Sequence, residues 1–267
     1  MINILLYVYF LYDSGFPLKQ VEQEYQVYVN ILSSKHSNST ILLQTRFMET
    51  VQNLMSSECD VGISASENPV QVGVKLSETI KIMIALIYGE YQRALELGRA
   101  YFRQSPFVLY DFATFYMFLG IANISLFKQK GRRDLSMLIS ARYYLKQIDR
   151  ICKSTPNYCL GKLALLKAEI SSISHRRNDR TVRQYLIAIS LANSKHHLFE
   201  GAFANERYAR YLLARGDLDS AKTYLLESCS LYREWNAFRK ADLLQLELNE
   251  LDLNRNQETY LGFLTDL

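Results

Sequence analysis

Apolar side chains recur every three or four positions through most of this chain, which is the period of an α-helix with one buried face. The pattern is cleanest from Gly201 to Leu246. There Leu218, Ala221, Leu225, Cys229, Tyr232 and Trp235 fall on one stripe of a helix that follows the turn Arg215-Gly216-Asp217. One helix precedes that turn, and another begins after Tyr232-Arg233-Glu234-Trp235. Small residues at Ala202, Ala209, Ala221 and Ser228 let neighbouring axes approach, while Tyr208, Tyr211, Tyr224 and Trp235 fill the wider gaps. The stretch reads as packed helical hairpins, and nothing in it marks a reaction centre.

The same period predicts the other elements. Ile2 to Tyr12 is the most apolar run and reads as a core-facing helix, because about ten apolar residues fall short of the roughly twenty that span a bilayer. No Lys or Arg precedes it and no A-x-A type site follows, so a signal peptide is a weak second choice. Asp13-Ser14-Gly15-Phe16-Pro17 ends it, with Ser14 available to cap a second helix over Leu18 to Leu32. In that helix Val21, Tyr25, Tyr28 and Leu32 point inward, and Lys19, Glu22 and Glu24 face water. A third helix is expected over Ile41 to Met55 with Leu42, Phe47, Val51 and Leu54 inside, then a surface loop near 56–74. Helices over Glu78 to Tyr88 and Tyr91 to Phe102 pair about Gly89-Glu90, and a long aromatic helix covers Phe107 to Phe127. Past the basic turn Lys128 to Arg133 come helices over Leu135 to Cys152, Cys159 to Ile173 and Arg180 to Asn193. The last, Ala237 to Leu253, gives way to a short tail.

The pairs echo one another. Gly89 stands five residues before Ala94 and Gly216 five before Ala221, and Ala188 lies 40 residues from Ser228. That interval exceeds the 34 of a strict tetratricopeptide unit, so the repeat is degenerate. The expected fold is all-α, a tetratricopeptide-like right-handed array of antiparallel helical hairpins over residues 1–267. Each hairpin should bury its apolar face only against its neighbours and leave one concave surface. An initiator Met directly before an apolar helix, with no N-cap, predicts a start inside a structural unit, as in a fragment of a larger protein. Apolar surface exposed at such a first helix would favour self-association.

Composition narrows the function classes. With four prolines and 11 glycines in 267 residues, a β-rich fold is disfavoured. The formal charge is +4 and the basic residues alternate with acidic ones, which argues against nucleic acid. Cys59, Cys152, Cys159 and Cys229 lack metal-ligand spacing and read as buried reduced thiols in a cytoplasmic setting. His196-His197 could be a metal pair, yet adjacent residues diverge on a helix, so solvent contact at a helix start is the plainer reading. His175-Arg176-Arg177 with Arg180, Arg183 and the Lys128 to Arg133 turn could form a rim for phosphate or acidic groups, against the plainer reading of solvated turns. Glu206 shares a face with Ala202 and Ala209; a buried glutamate can be catalytic, yet in hairpin arrays it more often accepts hydrogen bonds from a neighbouring helix, here from a Tyr or Arg. No catalytic, cofactor-binding or metal residue is assigned.

A sharper reading comes from resemblance. The motif residues are Gly15-Phe16-Pro17-Leu18 with Val21 and Glu22; Pro156-Asn157-Tyr158 with Lys162, Leu165 and Ala168-Glu169; and Tyr185-Leu186-Ile187-Ala188. To these add Glu206, Ala209, Tyr211-Leu212, Gly216, Ala221 and Tyr224-Leu225, and above all Tyr232-Arg233-Glu234-Trp235-Asn236-Ala237 with Lys240. Over nearly its whole length the chain resembles the tetratricopeptide-like region of large bacterial and fungal signalling proteins. Those proteins join a serine/threonine kinase-like domain, a P-loop ATPase, this array, a GAF domain and a sensor histidine kinase. Asn236 stands where that family has Gly, a mild departure at a left-handed helix end. No phosphate loop, kinase motif or phosphoacceptor helix is present. The resemblance therefore implies a non-enzymatic scaffold and signal-transmission segment of a phosphorelay sensor, in contact with the neighbouring ATPase and GAF/histidine-kinase domains. The alternative is a free-standing adaptor holding a partner peptide on its concave face.

Overall fold

The computed structural model describes residues 2–33, 48–49, 51–56, 73–104, 112–174 and 179–265. These residues are helical, and no strand occurs among them. The helices are α1 (Ile2–Asp13), α2 (Leu18–Ser33), α3 (Gly73–Ile87), α4 (Tyr91–Gln104), α5 (Phe112–Gln129) and α6 (Leu135–Cys152). They continue with α7 (Pro156–Ser171), α8 (Asp179–Ser194), α9 (Leu198–Leu213), α10 (Leu218–Glu234) and α11 (Phe238–Thr265). Residues 48–49 and 51–55 are also helical, with Met48, Val51 and Leu54 buried. The other residues of that expected third helix, and most of the loop expected after it, lie outside the described residues.

Six turns close in one way. After α9, the Gly216 N–H donates to the Leu213 carbonyl and the Asp217 N–H to the Leu212 carbonyl, with Gly216 at φ +76°. This paired closure caps the last carbonyls of the helix and requires a left-handed residue between them. The same two bonds recur around Gly15, Gly89, Gly131, His196 and Asn236. His196 and Asn236 hold the left-handed position without being glycine, at φ +52° and +69°. Positions 196, 216 and 236 are evenly spaced by 20 residues, so two steps make the 40-residue interval between Ala188 and Ser228. Both of those small residues are buried.

From α3 onward every helix packs on the next, and α3–α5 and α5–α7 also touch. Burial confirms the inward stripe of α10 except at Leu218, which is 40% exposed. It opens the helix, before the stripe has turned toward its neighbours. Against expectation, α11 continues past Leu253 to Thr265. The run Leu253 to Gly262 contains no proline and no glycine before its end, so no local signal stops it.

Packing is not confined to neighbours. The turn between α1 and α2 docks against the turns before α9 and α11, bringing opposite ends of the sequence together. The Leu18 N–H donates to the Trp235 carbonyl and the Lys19 N–H to Asn236 Oδ1, each at 3.1 Å. These first amides of α2 are thus capped by the distant turn rather than by Ser14, whose own N–H bonds back to Phe10. Tyr12 and Phe199 flank the fully buried Trp235, with ring centroids 6.1 and 4.9 Å away. At Gly15 a Cβ would press on the His197 ring and lie 2.9 Å from the Leu198 nitrogen. The apolar α1 supplies the driving force, since Val8, Tyr9 and Tyr12 are all buried.

Candidate functional site

α9 is the hub. All its residues from Phe199 to Leu212 are buried except Glu200 and Arg210, including the polar Asn205, Glu206 and Arg207. Buried charge is tolerated only when paired and hydrogen-bonded, and three ion clusters meet on this helix.

The first cluster joins α5, α7, α8 and α9. Arg207 grips the Glu169 carboxylate with two bonds, Nε to Oε1 at 2.7 Å and Nη2 to Oε2 at 2.9 Å. Lys128 Nζ donates to Oε2 at 3.1 Å, and the Tyr185 hydroxyl to Oε1 at 3.0 Å. Nη2 of Arg207 also reaches Ser125 Oγ at 3.1 Å. Burial alone would raise the Glu169 carboxyl; Arg207, then Lys128, overcome it and hold its pKa at about 2. Burial, helped by the nearby Arg207 cation, lowers the Lys128 pKa against the pull of Glu169. Above the cluster opens a cleft of about 270 Å³ lined by Lys128, Arg132, Arg207, Arg210 and Arg215, with Glu169 its one carboxylate among the described residues.

The second cluster is centred on Glu206. Lys240 Nζ donates to its Oε1 at 2.7 Å and to the Ile87 carbonyl at 2.6 Å, tying α11 to the end of α3. The Tyr232 hydroxyl donates to Oε2 at 3.1 Å, and Arg210 bridges Glu206 and Glu247. Burial opposes ionisation here too, and Lys240 followed by Arg210 bring the Glu206 carboxyl below its ordinary value. Glu206 is therefore a structural acceptor: Tyr232 comes from a neighbouring helix as expected, whereas the arginine is Arg210 of its own helix, and Lys240 of α11 is an addition.

In the third cluster Lys162, which sits over the Tyr158 ring, pairs with Glu200 at 2.5 Å. His197 lies beside them, and its placement differs from the solvent contact expected. Its Nδ1 accepts the Glu200 N–H at 3.2 Å, so Nε2 carries the proton and donates to the Asp13 carbonyl at 2.7 Å. The docked α1–α2 turn pulls this ring inward, while His196 stays exposed. Burial lowers the His197 pKa, outweighing the pull of Glu200.

The remaining sequence candidates separate. Arg180 and Arg183 are exposed on α8, and His175 to Arg177 lie outside the described residues. The Lys128–Arg132 segment instead faces Arg207, Arg210 and Arg215 across the cleft. Cys152, Cys159 and Cys229 are buried and free, and Cys59 lies outside the described residues. No group of three or more His, Cys, Asp or Glu among the described residues could hold a metal ion. No described helix is long and apolar enough to cross a membrane. Sequence reasoning missed the pairing of Glu169 with Arg207. Its available signal was a charge set amid apolar helical neighbours, Leu165 and Leu166 below Glu169 and Phe203 and Ala204 below Arg207. Compared with protein-family models, with curated proteins and with solved structures, the chain matches none.

Proposed function

We propose that this chain is a non-catalytic scaffold, a tetratricopeptide-like right-handed array of antiparallel hairpins, that transmits signals within a cytoplasmic phosphorelay sensor of the histidine-kinase type. Its partners are the flanking ATPase and GAF/histidine-kinase domains. The observation supporting this reading is the junction of Gly15-Phe16-Pro17-Leu18 with Trp235-Asn236, two motifs that carry the resemblance from opposite ends of the chain. A displacement imposed at one end of such a body reaches the other through packed side chains, since close-packed interiors shift as units. The test is the transcript across the locus. In-frame continuation into an ATPase upstream and a GAF plus histidine kinase downstream is expected, and a message coding only for these 267 residues would sink the relay role.

The second reading, a free-standing adaptor, is favoured by an open groove of about 630 Å³ between the α1–α2 and α8–α9 turns. Phe16, Pro17 and Leu231 offer apolar contacts there, and Glu227 and Glu234 offer acidic ones. An adaptor would select peptides from a displayed library and lose them on Glu227→Arg; selection of none would remove this reading.

A further inference from the structure

The cleft above Glu169 is not accounted for by a scaffold role. Five cations line it against one carboxylate, and they converge from separate parts of the fold: Lys128 from α5, Arg132 from the turn after it, Arg207 and Arg210 from α9, and Arg215 from the turn after α9. Pairing with Glu169 alone does not call for so many cations. Arg207 by itself satisfies Glu169 in the bidentate geometry that carboxylates prefer, and Lys128 is added on top. Glu206 and Glu247 engage Arg210 from one side, whereas Arg215 rests on a backbone carbonyl, that of Ser174, and over the Tyr211 ring.

We infer that this cleft binds a phosphomonoester dianion. Three features point to that group. First, Arg and Lys side chains converging from several directions suit a tetrahedral dianion with several acceptor oxygens. Second, the site is preorganised. Glu169 and Ser125 lock the Arg207 guanidinium, whose Nη1 is turned to the Tyr91 hydroxyl at the long distance of 3.4 Å, so little side-chain freedom is lost on binding. Third, Arg207 is already desolvated, its side chain being 9% exposed, and charge interactions there are screened less than at the surface. The volume of about 270 Å³ admits the phosphate and a small attached group, with the rest of any longer ligand left outside the cleft. The inference is independent of the relay reading, since it concerns what this chain binds rather than what flanks it.

Titration calorimetry with phenyl phosphate on the full chain, at constant ionic strength, tests the site. Phenyl sulfate serves as the reference, with the same ring and one negative charge fewer. Saturable binding with a Kd below about 1 mM is expected at pH 7.5, at least tenfold tighter than for phenyl sulfate. The difference should shrink as the pH drops through about 6, where the phosphate takes up its second proton. Arg132→Gln with Arg215→Gln should weaken phenyl phosphate at least tenfold. Arg150→Gln with Arg233→Gln, which removes the same two charges from exposed positions outside the cleft, should leave it unchanged. Unchanged melting and Trp235 emission establish that each variant is folded. Absence of saturable binding, equal affinity for both ligands, or indifference to the paired substitution overturns the inference. A phosphoserine peptide run beside a hexose 6-phosphate distinguishes the two sources of the group, the tighter of the two naming the natural one.

Discussion

Glu169→Gln is the sharpest probe of how the array is held together. The carboxamide keeps the shape but removes the charge, and it turns an N–H toward donors already supplied by Arg207, Lys128 and Tyr185. Two cations then face each other with no counter-charge, a change that costs about 3–5 kcal/mol in buried pairs. The ionisation of Glu169 gives a second route to the magnitude. Its pKa falls from about 4.3 in the unfolded chain to about 2, equivalent to roughly 3 kcal/mol. Because the folded value is the depressed one, this stability is fully present above the unfolded pKa and is lost as pH falls through about 2. Urea unfolding of both proteins across pH 7 to 3 reads it directly. The wild-type advantage should be largest at pH 7 and lose about half its size by pH 3. A difference that stays constant across that range, or one below about 1 kcal/mol at pH 7, would show that Glu169 is not the charge that holds α7 to α9.

Three further outcomes follow from the docked turn and the helix ends. Gly15→Ala places a methyl against His197 and Leu198 at a left-handed φ, and should cost about 2 kcal/mol or more while releasing α1 from Trp235; the sole tryptophan reports this as red-shifted emission, and an unshifted spectrum would count against docking. His196→Gly relieves a left-handed residue at an exposed site and should stabilise by about 1 kcal/mol, or roughly 2–4 °C in a thermal melt, whereas a lowered midpoint would contradict the turn geometry. His197 is held neutral chiefly by burial, and its Nδ1 accepts the Glu200 N–H, which a protonated ring could not do, so its depressed pKa makes stability fall as pH drops below the unfolded value of about 6.5. His197→Asn, which can still cap α9, should flatten that slope between pH 7 and 5, and an unchanged slope would assign it to another group.

Much of the architecture was legible because local rules and the fold agree. Gly89 and Gly216 mark left-handed helix ends whatever surrounds them, and Asn236 tolerates the same conformation, so turn positions follow from residue type. Glu206 was readable for a similar reason, since a charge sharing a helix face with Ala202 and Ala209 has to be paired. The tail was misjudged because nothing in the sequence between Leu253 and Thr265 distinguishes a frayed end from a continued helix.

The sequence by itself determined the helical class, the hairpin turns and the inward stripes, all properties of period and of single-residue conformational preference. Only the tertiary structure decided which charges meet. Glu169 and Arg207 are 38 residues apart and Lys19 and Asn236 are 217 apart, and at such separations neither partner leaves a trace in the other's local pattern. Helical period fixes which way a side chain points; the stacking angles of every intervening hairpin fix what it reaches.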